Sequence, residues 1–238
     1  MSKKISELFT VATHRSGVDW LEVVKASQCS YLGRTCIKSR KSRPDIAIGT
    51  CTVGYDAKKS KDVIICPHRL LERKQIFTDC YHLLTLHEPG NELHKLSEIT
   101  IPGGSVDYML MSAKVNGGNR KVVDFVGIEL QTLDTTGTVW PERERFLASA
   151  GVPVDPDDVK NTKPYGMNWK MTAKTILVQL HHKIKTFEHL GKHFVLVMQN
   201  HLLDYMEKEF NFSCIHTAKV GDSMHFHAYS LKEAKDHY

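Results

Sequence analysis

The pattern of apolar and polar positions predicts an α/β fold built around one hairpin and one long helix. Two apolar segments, residues 105–115 and 121–133, flank the glycine-containing linker 116–120 and predict an antiparallel pair of strands. Apolar residues recur at helical spacing over residues 169–190, and residues 193–199 form an uninterrupted apolar run, typical of a strand covered on both faces. A strand, a long helix and another strand in this order predict a right-handed crossover, and therefore a mixed central sheet flanked by helices.

Weaker patterns predict the remaining elements. Helical periodicity or a helix-starting proline marks five further helices, at residues 18–26, 67–85, 91–99, 141–150 and 202–210. Short apolar runs predict strands at residues 62–66, 213–216 and 224–231. Residues 27–61 are rich in Cys, Gly, Lys and Ser and show no regular pattern. A segment of that length in a compact domain needs something to order it, and a metal ion would do so.

Charge is distributed unevenly along the 238 residues, whose net charge is +5. Residues 1–80 carry fifteen Lys and Arg against eight Asp and Glu, whereas the remainder carries seventeen against nineteen. A basic N-terminal third indicates contact with a polyanion. Its densest part is IKSRKSR, residues 37–43. A charge run taken alone is more often a solvated loop.

The chain shows no sign of membrane insertion or export. No apolar run approaches the roughly 20 residues that a membrane helix needs. The N-terminal segment MSKKISELFT also lacks the apolar region of a signal peptide. We therefore expect a cytoplasmic protein.

Five of the six cysteines lie within the first eighty residues. In a cytosolic chain such clustering favours a metal site over disulfides. Four thiolates form a tetrahedral site suited to zinc or iron. The predicted ligands are Cys29, Cys36, Cys51 and Cys66. Cys80 is a competing ligand, but its place in an apolar helix favours a buried free thiol, and Cys214 is likewise predicted to be structural.

Polar residues interrupt the second strand of the hairpin. Glu129 and Gln131 share one face of that strand, because strand side chains alternate, and the hairpin would bring Asp107 close to Glu129. Two carboxylates and an amide at the rim of a sheet can hold a hard divalent cation and a phosphate, as a metal-dependent nuclease requires. The ordinary alternative is that acidic residues at strand ends face solvent. A charge within a core-like strand is costly without a partner, which favours a functional site.

Other candidate ligands remain open. Two histidine pairs lack a third ligand and are predicted to be core or surface residues: His181 with His182, and His225 with His227. Four lysines of the long helix either meet phosphates or form a solvated face: Lys170, Lys174, Lys183 and Lys185.

The cysteines and the acidic hairpin together resemble the NotI-type restriction endonucleases. The resemblance rests on the cysteines ending in Cys66-Pro67, on VDY around Asp107, on GIELQTLDTTG around Glu129 and Gln131, and on NWKMTAKTILVQLHHKI in the long helix. It covers most of the chain, from about the first cysteine to the helix at residue 202. The Glu-x-Gln element and the helix motif are specific to that group.

The resemblance implies a PD-(D/E)XK nuclease core over residues 83–238, preceded by a small four-cysteine, DNA-contacting module over residues 1–82. It implies that Asp107, Glu129 and Gln131 are catalytic, with Mg²⁺ held by the first two. It also implies iron at the four cysteines, where coordination chemistry alone makes zinc at least as suitable. An upstream helical acid completes the metal shell in such cores, and Glu92 is preferred to Glu98 for this role.

The expected function is a type II restriction endonuclease. Such an enzyme is a homodimer that hydrolyses phosphodiester bonds at a palindromic site in double-stranded DNA, and it works beside a cognate DNA methyltransferase. Gln131 stands where the common motif, Asp followed by Glu-x-Lys, has lysine, and an amide can act only by hydrogen bonding. Two alternatives remain: a metal-ordered DNA-binding protein that has lost cleavage, and a repair nuclease of the same core.

Overall fold

The computed structural model describes residues 5–55, 61–212 and 215–232. The chain forms two compact units. The first is built from the chain up to Arg73 together with Thr132–Asn168, and the second from Lys74–Gln131 together with the chain from Trp169 onward. The segment Thr132–Asn168, which falls within the predicted second domain, thus packs as part of the first unit.

The described residues form fifteen strands, six α-helices and two 3₁₀ helices. The strands are β1 (Ile5–Leu8), β2 (Val11–Ala12), β3 (Gln28–Cys29), β4 (Arg34–Thr35), β5 (Ser39–Arg40), β6 (Arg43–Ala47), β7 (Thr50–Tyr55), β8 (Lys61–Ile64), β9 (Glu92–Ile101), β10 (Gly104–Asn116), β11 (Asn119–Gln131), β12 (Thr135–Thr136), β13 (Gly166–Met167), β14 (His193–Gln199) and β15 (Met224–Tyr229). The α-helices are α1 (Trp20–Ala26), α2 (Gln75–Cys80), α3 (Trp140–Ser149), α4 (Pro156–Lys160), α5 (Trp169–His189) and α6 (Asn200–Phe210). Two 3₁₀ helices flank α2, at Pro67–Lys74 and Tyr81–Leu83. None of the helices in the described part of the chain is long and apolar enough to cross a membrane.

The second unit confirms the predicted α/β class and its mixed sheet. Its five strands lie in the order β15-β14-β11-β10-β9. Strands β9, β10 and β11 pair antiparallel, whereas β14 is parallel to β11 and β15 is parallel to β14. The long helix α5 connects β11 to β14, as its predicted crossover requires. All residues of β14 after His193 are buried, which accounts for its continuous apolar sequence.

Helix α5 approaches the sheet closely at one glycine. A Cβ added to Gly127 of β11 would lie 2.2 Å from the Phe187 ring, so a larger residue would force the helix or the ring away. Phe187 itself is buried and also packs against Phe194 of β14, with ring centroids 5.1 Å apart. This contact fixes α5 over the face of β11 that carries the odd-numbered side chains.

The first unit has its own small sheet and core. Its four strands lie in the order β2-β1-β7-β8 and all pair antiparallel. The helix predicted over residues 18–26 is present as α1 but begins at Trp20, with Asp19 as its N-cap; the Asp19 side chain accepts a hydrogen bond from the Glu22 backbone N–H at 3.1 Å. Trp20 of α1 contacts Phe146 of α3 edge-to-face, with ring centroids 4.8 Å apart. The region predicted to be irregular, residues 27–61, instead contains the hairpins β3–β4 and β5–β6 and the strand β7.

Two helix predictions were wrong. Residues 91–99 form most of β9, which pairs with β10 along its length. Leu93 and Leu96 have helical spacing, but they are 47% and 43% exposed, so they mark no buried face. The long helix predicted over residues 67–85 is broken at Arg73 and Lys74, whose φ angles are 52° and 56°. The strand predicted at residues 213–216 lies partly outside the described residues, and Ile215 and His216 are not in a strand.

Candidate functional site

Asp107 and Glu129 lie side by side on neighbouring strands. The pairing of Tyr108 with Ile128 places Asp107 opposite Glu129, as the predicted hairpin requires. The Asp107 carboxylate accepts a hydrogen bond from the Leu130 backbone N–H at 2.7 Å. The backbone of β11 therefore fixes the Asp107 carboxylate beside Glu129.

A lysine from the long helix completes this pair. The Lys183 ammonium donates to Glu129 Oε1 at 2.7 Å, and the Lys183 and Glu129 side chains are only 8% and 14% exposed. The sequence left open whether Lys183 faces solvent. Helical spacing predicts that Lys183 is buried, because it falls on the same helix face as the buried Ile176, Leu180 and Phe187. Of the four lysines considered, Lys183 is the one that faces the sheet within α5.

The surroundings of Glu129 leave one of its oxygens without a partner. Burial raises the pKa of Glu129 above its ordinary value, and the charge of Asp107 adds to this effect, while the Lys183 ammonium opposes it. Oε2 of Glu129 is buried and has no hydrogen-bond partner among the described residues. Carboxylate oxygens are the preferred ligands of hard divalent cations, so this unpartnered acceptor beside Asp107 fits Mg²⁺.

Of the other residues predicted for this site, Gln131 lies near the carboxylate pair and Glu92 does not. Gln131 follows Glu129 on the same face of β11 and is half-buried. Glu92 is opposite Ala113, six residues and about 20 Å along β10 from Asp107, and it is ion-paired with Arg120 at 2.8 Å. The structure does not bring Glu92 to the carboxylate pair.

Glu98 is the nearer of the two upstream acids. Asp107 lies between the cross-strand pairs Val106–Ile99 and Tyr108–Ser97, so Glu98 is its neighbour on β9. Glu98 has a φ of 55° and an exposed side chain. Neither acid lies on a helix, and the expected upstream helical acid was therefore wrong in its secondary structure.

The four predicted cysteine ligands line one small cavity of the first unit: Cys29, Cys36, Cys51 and Cys66. They come from four separate places in the chain, at β3, after β4, in β7 and after β8. Cys80 does not line this cavity, and Cys214 lies outside the described residues. All five described cysteines are free thiols. The structure therefore brings together the four cysteines chosen from the sequence and leaves out their competitor Cys80.

The electrostatic surroundings of these sulfurs differ. The Cys51 thiol, which donates to the Gly49 carbonyl at 3.4 Å, lies close to Cys66. This proximity lowers the pKa of Cys66, and the Lys38 charge and the backbone N–H groups that follow Cys66 lower it further, against the effect of burial. The proximity of Cys66 and burial raise the pKa of Cys51. Burial raises the pKa of Cys29, which the backbone N–H groups of Leu32 and Tyr31 partly offset. Backbone N–H groups favour the thiolate form at three of the four sulfurs, those of Cys29, Cys51 and Cys66, which suits metal ligands.

The four thiols are free, and those of Cys36 and Cys51 donate to the backbone carbonyls of Lys38 and Gly49. Across the described ranges, no three His, Cys, Asp or Glu side chains are arranged as a formed ligand set. Four soft sulfur donors around one cavity nevertheless match the chemistry of an iron or zinc site. Metal binding would require the sulfurs to lose their protons and move towards a common centre.

The basic run IKSRKSR forms the hairpin β5–β6 and the chain leading into it. Two of its arginines are engaged within the first unit. Arg40 pairs with Asp158 at 3.2 Å, and Arg43 pairs with Asp155 at 2.5 Å. The Lys38 ammonium donates to the Ile65 carbonyl at 3.1 Å. The run is therefore a folded hairpin with internal counter-charges and not simply a solvated loop.

The two histidine pairs, both predicted to be core or surface residues, differ in burial. His225 is buried, and its Nε2 lies 2.7 Å from the Asp222 carbonyl oxygen. His227 lies on the same face of β15, with Nδ1 3.9 Å from the Cys80 sulfur. Burial lowers the pKa of both His225 and His227. His181 and His182 are exposed on α5.

Comparison with known proteins adds no assignment. A scan against models of protein families finds no match to the chain, and a search of the curated proteins finds no significantly similar sequence.

Proposed function

We propose that this protein is a Mg²⁺-dependent type II restriction endonuclease with a PD-(D/E)XK core. The observation that carries the proposal is the Asp107–Glu129 pair, in which the backbone of β11 fixes Asp107 and Lys183 contacts Glu129 at 2.7 Å. An acid pair with an adjacent lysine is what the Asp and Glu-x-Lys pattern supplies. The sheet around it, three antiparallel strands followed by a helical crossover to a parallel strand, is also compatible with such a core.

Asp107 and Glu129 would hold the cation. When bound, Mg²⁺ would polarise the scissile phosphate and lower the pKa of an attacking water. Lys183 fixes Oε1 of Glu129 and so directs Oε2 away from the helix. Its positive charge would also stabilise negative charge on the phosphate.

Gln131 has a more limited role in this proposal. Its amide can donate a hydrogen bond to a phosphate oxygen or orient a water, but it carries no charge. Lys183 supplies the positive charge that the residue at this position usually provides. The replacement of lysine by Gln131 therefore argues less strongly for a protein that has lost cleavage.

The first unit would provide a structural metal site and DNA contacts. Its four cysteines, Cys29, Cys36, Cys51 and Cys66, would hold iron, with zinc as the alternative. The metal would order the loops between the small hairpins, in which little apolar surface is buried. Dimerisation would match the two-fold symmetry of a palindromic site, and a cognate methyltransferase would protect the host DNA.

Incubation of the purified protein with phage DNA and Mg²⁺ tests the proposal. Discrete fragments with a common end sequence support restriction. Binding without cleavage would instead favour a DNA-binding protein that has lost activity, and cleavage only at branches or lesions would favour a repair nuclease.

The Glu129→Ala variant then tests the site. We expect cleavage to be lost while DNA binding is largely retained, because Glu129 would act on the cation and not on DNA affinity. Glu92→Ala is the matched control, since Glu92 is also a strand glutamate paired with a cation but lies far from Asp107. Full activity of Glu129→Ala would remove Glu129 from the mechanism.

A further inference from the structure

The hairpin β5–β6 places two arginines directly against each other. Arg40 and Arg43 are cross-strand partners on either side of the turn formed by Lys41 and Ser42. Like charges in opposed positions destabilise a strand pair. The tip of this hairpin therefore needs anions close to both guanidinium groups.

Helix α4 and its N-cap supply those anions in the present structure, but the two carboxylates are held differently. Asp158 accepts from Trp140 Nε1 at 2.8 Å, pairs with Arg40 at 3.2 Å, and is 16% exposed. Asp155 is 34% exposed and pairs with Arg43, which is 40% exposed. Asp158 is thus fixed by a neighbouring ring and also lies 3.9 Å from Arg43, whereas the shorter Arg43–Asp155 pair is more than one third exposed.

We propose that the arginine side of this hairpin is a phosphate-binding surface for double-stranded DNA, and that Asp155 occupies the phosphate position on Arg43 until DNA displaces it. This inference rests on the proposed function, because it takes DNA as the partner. A guanidinium presents the same fork of N–H donors to a carboxylate and to a phosphate. An exposed ion pair contributes little to stability, so exchange of one anion for the other is inexpensive.

The neighbouring residues fit a backbone contact more than a base contact. Lys41 is exposed at the turn and adds a third positive charge beside Arg40 and Arg43. Arg40 lies over the Trp140 ring, 5.0 Å from its centroid, which holds its guanidinium in place. Asp155 would thereby lower DNA affinity without being part of the cleavage site.

The variant Asp155→Asn tests this inference. Asn retains the N-cap hydrogen bond that Asp155 makes to the Asp157 backbone N–H, so α4 keeps its start. Asp157→Asn is the matched control. It removes the same charge two residues away, from a side chain that is 90% exposed and pairs with Lys160.

Affinity is measured by fluorescence anisotropy with a duplex oligonucleotide, at low salt and without Mg²⁺. We expect Asp155→Asn to bind about two- to fivefold more tightly than the parent, the equivalent of one exposed ion pair. Asp157→Asn should bind as the parent does. In an Arg43→Ala background the effect of Asp155→Asn should disappear, and Arg43→Ala alone should bind more weakly with a smaller salt dependence.

The possible outcomes separate this inference from the proposed function. An equal increase in DNA affinity for Asp155→Asn and Asp157→Asn would show only a general charge effect, and would overturn the inference that Asp155 occupies a phosphate position. A parent that cleaves DNA while Asp155→Asn binds no more tightly would overturn the inference alone. Tighter DNA binding by Asp155→Asn, without cleavage by the parent protein, would overturn the proposed nuclease function and support the phosphate-binding surface. Absence of duplex binding by every variant would overturn both.

Discussion

Replacing Lys183 with Met removes the positive half of a buried ion pair and leaves Glu129 without its counter-charge. The two side chains are 8% and 14% exposed, and their charged atoms are 2.7 Å apart. Removing one member of such a pair typically costs about 3–5 kcal/mol. Met preserves most of the apolar volume of the lysine stem, so the electrostatic contribution dominates the change.

The cost has an upper limit set by protonation. Glu129 can take up a proton instead of remaining charged, and for a glutamate of ordinary pKa this costs about 3.7 kcal/mol at pH 7 and about 1.6 kcal/mol at pH 5.5. Because the folded variant binds this proton more tightly than the unfolded chain, its stability relative to the parent falls as pH rises. We expect Lys183→Met to be destabilised by about 3 kcal/mol at neutral pH and by less than about 2 kcal/mol at pH 5.5.

Native-state hydrogen exchange of the β11 amides measures this free energy within the second unit. Lys185→Met is the control, because Lys185 is exposed on the same helix and its replacement should change the free energy by no more than about 0.5 kcal/mol. A destabilisation of Lys183→Met that does not change with pH would refute the argument, since it would trace to packing. A loss of unfolding free energy at neutral pH as small as that of Lys185→Met would refute it as well.

Three further predictions follow from other parts of the molecule. Cys51→Ser should lower the iron or zinc content from about one metal per chain, while Cys80→Ser should leave the content unchanged. Elemental analysis of protein purified without chelator measures the content. Equal losses in both variants would contradict the cavity as the metal site. Burial lowers the pKa of His227, so the unfolded chain binds more protons near pH 6 and stability falls as pH drops below about 6.5. His227→Gln should therefore reduce the loss of unfolding free energy between pH 7.5 and 5.5 by up to about 1.4 kcal/mol, and an unchanged or larger loss would exclude this histidine as its source. Glu98→Gln should reduce the rate of DNA cleavage more than Glu92→Gln, because Glu98 neighbours Asp107; the reverse order would restore Glu92 to the site.

The sequence was sufficient for the parts of the fold that depend on local periodicity. The hairpin β10–β11, the crossover helix and the buried strand β14 all followed from apolar spacing, and the hairpin in turn predicted that Asp107 and Glu129 would be neighbours. The four cysteines proposed as ligands line one cavity and Cys80 does not, in keeping with its place in an apolar helix; their role as metal ligands stays a prediction.

Features that depend on pairing between distant segments were not predictable in the same way. Strand β9 has leucines at helical spacing, and its pairing with β10 decided its conformation. Helical spacing places Lys183 on the apolar face of α5, but its partner Glu129 lies 54 positions earlier in the chain, so local spacing could not predict the ion pair. The carboxylates that neutralise Arg40 and Arg43 come from α4 and its N-cap, more than a hundred residues away, and a charge count cannot anticipate them.

The interleaved order of the two units has a consequence for synthesis on the ribosome. The first unit is completed only by Thr132–Asn168, where Arg143 donates to the carbonyls of Ala47 and Ile48. The strands β9, β10 and β11 are therefore synthesised after the N-terminal segments of the first unit and before Thr132–Asn168, which completes that unit. Early binding of a metal to the four proposed cysteine ligands, all of which precede Thr132–Asn168, would hold the nascent chain together during this interval.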